Sequence, residues 1–171
     1  MVVGTTGFSA EQLATLEAAA SEIAILFSPN MSIGVNALYL LLEKAAQLFN
    51  DDYDVEVFEA HHRNKVDAPS GTALKMAEVV AQAKGRDLDK IADWARHGVT
   101  GVREKGRIGF SVFRGGDVIG DHTVSFAGPG ERIELTHKAT NRTIYASGSI
   151  QAALFLKDKD KGFYSMRDLM V

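Results

Sequence analysis

The sequence predicts an α/β protein: a mixed, largely antiparallel sheet with flanking helices, preceded by a remnant βαβ unit. Three observations predict it. Residues 1–27 read strand, helix, strand, and two strands joined by one helix expect a parallel sheet. Two long helical patterns, residues 33–49 and 73–84, flank a β-like run at residues 54–60. Residues 108–138 hold three antiparallel-looking alternating runs, the first two separated by Gly115-Gly116-Asp117, a hairpin turn signal, and the last two joined at Gly128-Pro129-Gly130.

Each element has a local reason. Residues 1–3 are a short piece of buried strand. Gly4-Thr5-Thr6-Gly7 is a tight turn, and Ser9 caps a helix over residues 10–22 whose Leu13, Leu16 and Ala20 share one face. Residues 23–27 are a second buried strand. Ser28-Pro29-Asn30-Met31 leaves that strand as the glycine turn leaves the first. Ser32 caps the helix at 33–49, where Val35, Leu38, Leu42, Ala45 and Leu48 form an apolar stripe. Gly85 stops the helix at 73–84. Residues 87–96 are a short polar helix or turn anchored by Trp94, and residues 99–106 are a Gly- and charge-rich loop. In the sheet, Ile108, Phe110, Val112, Ile133 and Leu135 are expected on one face, with Phe113, Val124 and Phe126 on the other. Thr140 or Asn141 caps a last helix, residues 142–156, with Ile144, Ile150, Ala153 and Leu154 as its core positions. His97, His122 and His137 are expected to be solvated or structural.

Composition narrows the function classes. A chain of 171 residues can bury a real core, and 46% hydrophobic content is ordinary for a globular protein. A net charge of −3 argues against nucleic acid or another polyanion as partner, so any anion site must be local. There is no cysteine, hence no disulfide and no thiolate metal site, which fits a reducing, cytoplasmic setting. The apolar run at residues 33–42 contains Asn36 and is too short to span a bilayer, and no signal peptide is visible, so no membrane association is expected.

The densest chemistry lies in Glu59-Ala-His61-His62-Arg63-Asn64-Lys65-Val-Asp67-Ala-Pro69-Ser70-Gly71-Thr72-Ala73. A strand feeds it and a helix leaves it. Ser70 or Thr72 can cap that helix, and Gly71 lets a ligand approach the backbone. The start of a helix presents N–H groups and partial positive charge to an anion. The residues suggest a small carboxylate or phosphate held by Lys65, Ser70, Gly71 and Thr72, with a histidine nearby as proton donor. The plainer alternatives are an ordinary helix cap and a structural His-His pair, whose rings serve one pocket only if the strand ends there.

The stretch resembles the dihydrodipicolinate reductase family, whose pattern Glu-x-His-His-x-x-Lys-x-Asp-x-Pro-Ser-Gly-Thr-Ala it matches from Glu59 to Ala73. A looser resemblance runs from Val3 to about Asp168, including the closing Gly162-x-Tyr164-x-Met166-Arg167-Asp168. No Gly-x-Gly-x-x-Gly follows a strand with an acidic residue about twenty positions on. The chain is therefore expected to be a family member lacking most of the N-terminal, Rossmann-like nucleotide-binding half. Residues 1–32 would be the end of that domain, residues 33–141 the substrate-binding and oligomerisation domain, and residues 142–171 a helix and tail returning to the nucleotide domain.

The resemblance implies NAD(P)H-dependent reduction of a cyclic unsaturated imine dicarboxylate in lysine and diaminopimelate synthesis. His61 is then the proton donor, and Lys65 neutralises a carboxylate. His62, Ser70, Gly71 and Thr72 hold substrate. The turns Gly4, Thr5, Thr6 and Ser28, Pro29, Asn30, Met31 contact NADPH or NADH, at the carboxyl ends of parallel strands. It also implies a homotetramer joined through the sheet. A second hypothesis is a non-catalytic substrate-binding and tetramerisation module. A metal hydrolase using His61, His62, His122 and His137 is disfavoured: adjacent histidines lack the i, i+4 spacing of zinc proteases, and no metal site is expected.

Overall fold

A computed structural model describes residues 1–171. The chain is a mixed α/β protein that divides into two compact units, residues 1–37 with 141–171, and residues 38–140. The division falls early in the helix α2, Ile33–Leu48. No helix is long and apolar enough to cross a membrane.

The first unit is built on a parallel three-stranded sheet. The strand β1 (Val2–Val3) pairs with β2 (Ala24–Phe27), and β2 pairs with β8 (Gly162–Tyr164). Between β1 and β2 runs α1, Ala10–Ala19, which ends three residues short of the expected stop. Ser9 caps it in a full capping box with Gln12, each side chain engaging the other residue's backbone N–H. Ser32 accepts the Val35 N–H at the start of α2. Leu26, Met31, Ala152, Leu156 and Met166 form the buried cluster of this unit.

The last helix, α5 (Thr143–Leu156), presents a different face from the one expected. Ile150 and Leu154 are 63% and 64% exposed, and Ala153 is also exposed. Gly148, Ala152 and Leu156 are buried instead, at i, i+4 and i+8. The reason is a close backbone approach. A Cβ at Gly148 would lie 1.8 Å from the carbonyl oxygen of Met31, so only glycine lets the helix lie there. Asn141 accepts the Thr143 N–H at 2.8 Å, supporting the first turn.

The second unit holds a five-stranded sheet in the order β4–β5–β3–β6–β7. Its strands are β3 (Asp54–His61), β4 (Ala92–Asp93), β5 (Ile108–Arg114), β6 (Gly120–Gly128) and β7 (Glu131–Ala139). The pairs β4–β5 and β3–β5 are parallel, and β3–β6 and β6–β7 antiparallel. Two expectations are corrected here. Gly115-Gly116-Asp117 does not close a hairpin, because β3 lies between β5 and β6. The connection wraps the end of β3 instead: Gly115 N–H reaches His61 O, Arg63 N–H reaches Gly116 O, and His62 N–H reaches Val118 O. Nor do Val124 and Phe126 sit opposite Phe110. In register they pair with Val57 and Val55, which also pair with Phe110 and Ile108, so all six share one buried face.

That face is covered by α2 and by α3 (Gly71–Ala83). Leu38, Leu42, Ala45 and Ala46 from α2 join Ala73, Met76, Ala77, Val80 and Ala81 from α3 in one core with the strand residues. The short helix α4 (Leu88–Ile91) is capped by Asp87, and Trp94 stacks on Phe110 at 5.0 Å. On the uncovered face Phe58 and Phe113 remain 44% and 48% exposed.

Candidate active site

The candidate site lies in the second unit, where the covered sheet face turns from apolar to polar. Strand alternation puts Val55, Val57, Glu59 and His61 of β3 on one side. The register brings Arg114 of β5 opposite His61, and His122 of β6 opposite Glu59. The helix α3 lies on the same face and begins at this end. One strand thus supplies core at its start and chemistry at its finish.

Glu59 is the hub. Its carboxylate is fully buried, which alone would be strongly unfavourable. Arg114 answers it with two hydrogen bonds, Nη1 to Oε2 and Nη2 to Oε1, each 2.7 Å. The backbone N–H of Ser70 donates to Oε1 at 3.0 Å, and His61 Nδ1 lies 2.6 Å from Oε2. Burial pushes the Glu59 carboxyl up, but the bonds from Arg114, His61 and Ser70 outweigh it and hold it below its ordinary value. It is therefore an ionised acceptor.

His61 is pulled both ways. Burial favours its neutral form, Glu59 favours the cation, and the charges of Lys65 and Arg114 oppose the cation again; the net direction is down. Its Nε2 faces Gly120, where a Cβ would come within 3.0 Å of that nitrogen. His122 meets the His61 ring edge-on, with centroids 5.0 Å apart. Its Nε2 is 3.0 Å from Ser70 Oγ, while its Nδ1 is buried without a hydrogen-bond partner. Burial, then the neighbouring His61, lowers His122 to about 4, so it is neutral at physiological pH.

Ser70 is the N-cap of α3, its Oγ accepting the Ala73 N–H at 3.2 Å. Gly71 and Thr72 are then the first two residues of a 13-residue helix, with Gly71 exposed and Thr72 half-buried. The strand ends at His61, and His62 begins a turn closed by Lys65 N–H to His62 O. Lys65 Nζ pairs with Asp67 Oδ1 at 2.7 Å, and Asp67 O accepts from Arg114. The Lys65 charge lowers both His61 and His122, so it acts on the same small space. His61, Lys65 and the start of α3 are thus brought to one end of the sheet. No group of three or more His, Asp or Glu side chains could hold a metal ion.

The residues expected at the cofactor, Gly4, Thr5, Thr6, Ser28, Pro29, Asn30 and Met31, lie in the first unit. They form two turns leaving the carboxyl ends of the adjacent parallel strands β1 and β2. Gly4, Thr5, Thr6 and Pro29 are exposed. Ser28 and Met31 are turned inward: Ser28 Oγ donates to Asn30 O at 2.7 Å, and Met31 is in the core. Asn36 Nδ2 ties the turn down through Asn30 O and Ser32 O.

Residues 34–170 match the family model described as dihydrodipicolinate reductase, C-terminus, and residues 1–31 the one described as dihydrodipicolinate reductase, N-terminus. The chain belongs to the dihydrodipicolinate reductase family. It is 59% identical over 170 residues to the 4-hydroxy-tetrahydrodipicolinate reductase of Herminiimonas arsenicoxydans, covering 99% of this chain and 63% of that protein. It is 55% identical to the reductase of the same name from Polynucleobacter necessarius subsp. necessarius (strain STIR1), covering 99% of this chain and 64% of that one. Among solved structures it resembles the dipicolinate-bound dihydrodipicolinate reductase from Paenisporosarcina sp. TG-14. The TM-score is 0.75 at 27% identity, over 99% of this chain and 64% of that one. The chain thus spans a little under two thirds of the length of these reductases.

The motif from Glu59 to Ala73 points to His61, Lys65 and the helix cap, but it gives no role to Glu59 or Arg114 and carries no signal that singles out His122. A signal for Glu59 was present: with Val55 and Val57 inside, alternation places its carboxylate inside too, and a buried charge needs a partner.

Proposed function

We propose that the second unit binds a cyclic dicarboxylate and delivers a proton to it, as part of NAD(P)H-dependent 4-hydroxy-tetrahydrodipicolinate reduction in lysine and diaminopimelate synthesis. The observation that carries this reading is the meeting of His61, the Lys65 charge and the first turn of α3 at one sheet end. The nearby relatives' names and the dipicolinate in the Paenisporosarcina enzyme support the ligand class.

Lys65 takes one carboxylate. Its present partner, Asp67, is about half exposed, and such ion pairs contribute roughly 0–1 kcal/mol, so a doubly charged ligand can displace it. The backbone N–H of Gly71, the Thr72 hydroxyl and His62 take the second carboxylate, assisted by the positive end of α3. Ser70 fixes that first turn. NADPH or NADH, when bound, supplies the hydride. The exposed turn at Gly4, Thr5 and Thr6, with Pro29 and the Asn30 backbone, suits it, since open parallel sheets bind nucleotides beyond the carboxyl ends of their strands. Ser28 and Met31 would act by shaping the turn. As negative charge builds on the ring nitrogen, His61 provides the proton. The half-exposed Phe58 and Phe113 on the open sheet face support assembly into a homotetramer through that face. The cysteine-free sequence favours a cytoplasmic setting.

Calorimetric titration with dipicolinate tests the reading. Wild-type chain should bind, and Lys65→Ala should bind about 10- to 100-fold more weakly, the worth of one charge-assisted contact. Equal affinity in the two proteins refutes the role of Lys65. NAD(P)H oxidation by the same chain, measured separately, decides between a reductase and a binding module.

A further inference from the structure

His61 donates through Nδ1 to a carboxylate, and this constrains what its other nitrogen can do. Glu59 is ionised and lies 2.6 Å from Nδ1, so that nitrogen must carry a proton. Both Glu59 oxygens are also occupied by donors: Oε2 by Arg114 Nη1, and Oε1 by Arg114 Nη2 and the Ser70 N–H. The carboxylate therefore has no proton of its own and no freedom to turn. In a neutral His61 the single ring proton stays on Nδ1, and Nε2 is a bare lone pair. A ring in that state can accept a proton at Nε2 but cannot give one.

We propose that Glu59, locked by Arg114, is a positioning residue that keeps the resting His61 proton on Nδ1, and that Nε2 gains the transferable proton only as the dicarboxylate binds. The charged and titratable groups around the ring make this work. Glu59 lies on its own strand, Arg114 on β5, His122 on β6, and Lys65 in the following turn. Burial is the main reason the free ring resists becoming an imidazolium; Glu59 favours the cation, His122 is neutral, and the cationic field of Lys65 and Arg114 adds to the resistance. A ligand with two negative charges beside Lys65 reverses that field. One proton then moves from solvent to Nε2, giving an imidazolium with Nδ1–H on Glu59 and Nε2–H toward the ligand. In the reduction, that Nε2 proton passes to the ring nitrogen, and His61 returns to its starting tautomer. Protons balance: one enters with the ligand and leaves in the product. The Arg114 bond to Asp67 O extends the same device to the Lys65 turn.

This proposal rests on the dicarboxylate site above, but its first half can be tested without ligand. Long-range proton–nitrogen NMR correlation of His61 in the free chain at neutral pH should show Nδ1 protonated and Nε2 bare. An Nε2–H tautomer there overturns the proposal, whatever binds. In Glu59→Gln, Arg114 and the Ser70 N–H should hold the amide oxygen, turning the NH2 toward His61 and moving the ring proton to Nε2. An unchanged tautomer in a folded variant overturns the role of Glu59. Dipicolinate titrated calorimetrically in buffers of different ionisation enthalpy should take up about one proton in wild type and far less in Glu59→Gln. Binding without proton uptake by the wild type overturns the second half. Absence of dipicolinate binding refutes instead the site reading on which that half rests, leaving the tautomer measurement to decide the first.

Discussion

Replacing Gly148 by alanine should destabilise the first unit, against the usual rule for a helix. In an exposed helix interior, Gly to Ala stabilises by about 1 kcal/mol. Here the added Cβ would lie 1.8 Å from Met31 O and 2.9 Å from Met31 C. Relief to even the 3.0 Å that real Cβ atoms scarcely breach requires a shift of 3.0 − 1.8 = 1.2 Å between α5 and the β2–α2 turn. The obstacle is backbone, it cannot change rotamer, and its residue is packed against Leu26, Ala152 and Met166. Overpacking costs about 1–3 kcal/mol, and an unyielding backbone obstacle puts this site in the upper part of that range, about 2–3 kcal/mol, which outweighs the propensity gain. A net loss of about 1–2 kcal/mol should speed amide exchange of Leu26 in β2 roughly 5- to 30-fold. Val57 in the second unit serves as the control and should change much less. Slower exchange at Leu26 in Gly148→Ala would refute the close-packing argument, because it would mean the propensity term wins.

Two further outcomes follow from the second unit. His122 falls from its ordinary 6.5 to about 4 on folding, so between those values the unfolded chain binds a proton that the folded chain refuses. Stability should therefore be full above pH 6.5 and decline as the pH drops toward 4. His122 accounts for about 3 kcal/mol of that decline, and His61 and His137 shift in the same direction. Urea melts across this window should show a flatter slope for His122→Gln; an unchanged slope would remove His122 as the cause. Gly120→Ala puts a methyl 3.0 Å from His61 Nε2 and should weaken dipicolinate binding about 10-fold by displacing that nitrogen. Unaltered affinity, with exchange at Val124 also unaltered, would show that Nε2 does not face the ligand.

What was legible in the sequence was local. Ser9, Ser32 and Ser70 could be read as caps because each acts on a backbone N–H three residues ahead. Parity along β3 fixed which of its residues face inward. The strand order was not legible, because Gly115 and Gly116 look the same whether the chain reverses at once or first passes the end of β3. Without that order the faces of β5 and β6 cannot be aligned, and only the pairing of both strands with β3 puts Val124 and Phe126 on the same face as Phe110 and Ile108. The α5 face was hidden for another reason: apolar side chains lie all around that helix, so the decisive residue was the one with no side chain, Gly148. The ion pair between Glu59 and Arg114 joins residues 55 apart and exists only because β3 and β5 are neighbours. Sequence could demand a partner for Glu59, but could not supply its number.

Dicarboxylate binding at the end of β3 is tested most directly by the amide and imidazole NMR spectra of the chain during titration with dipicolinate. Saturable shifts should concentrate on the Gly71 and Thr72 N–H groups and the His61 ring, and in Lys65→Ala their common midpoint should move to about 10- to 100-fold higher dipicolinate. Saturable binding whose shifts leave Gly71, Thr72 and His61 unmoved would contradict it.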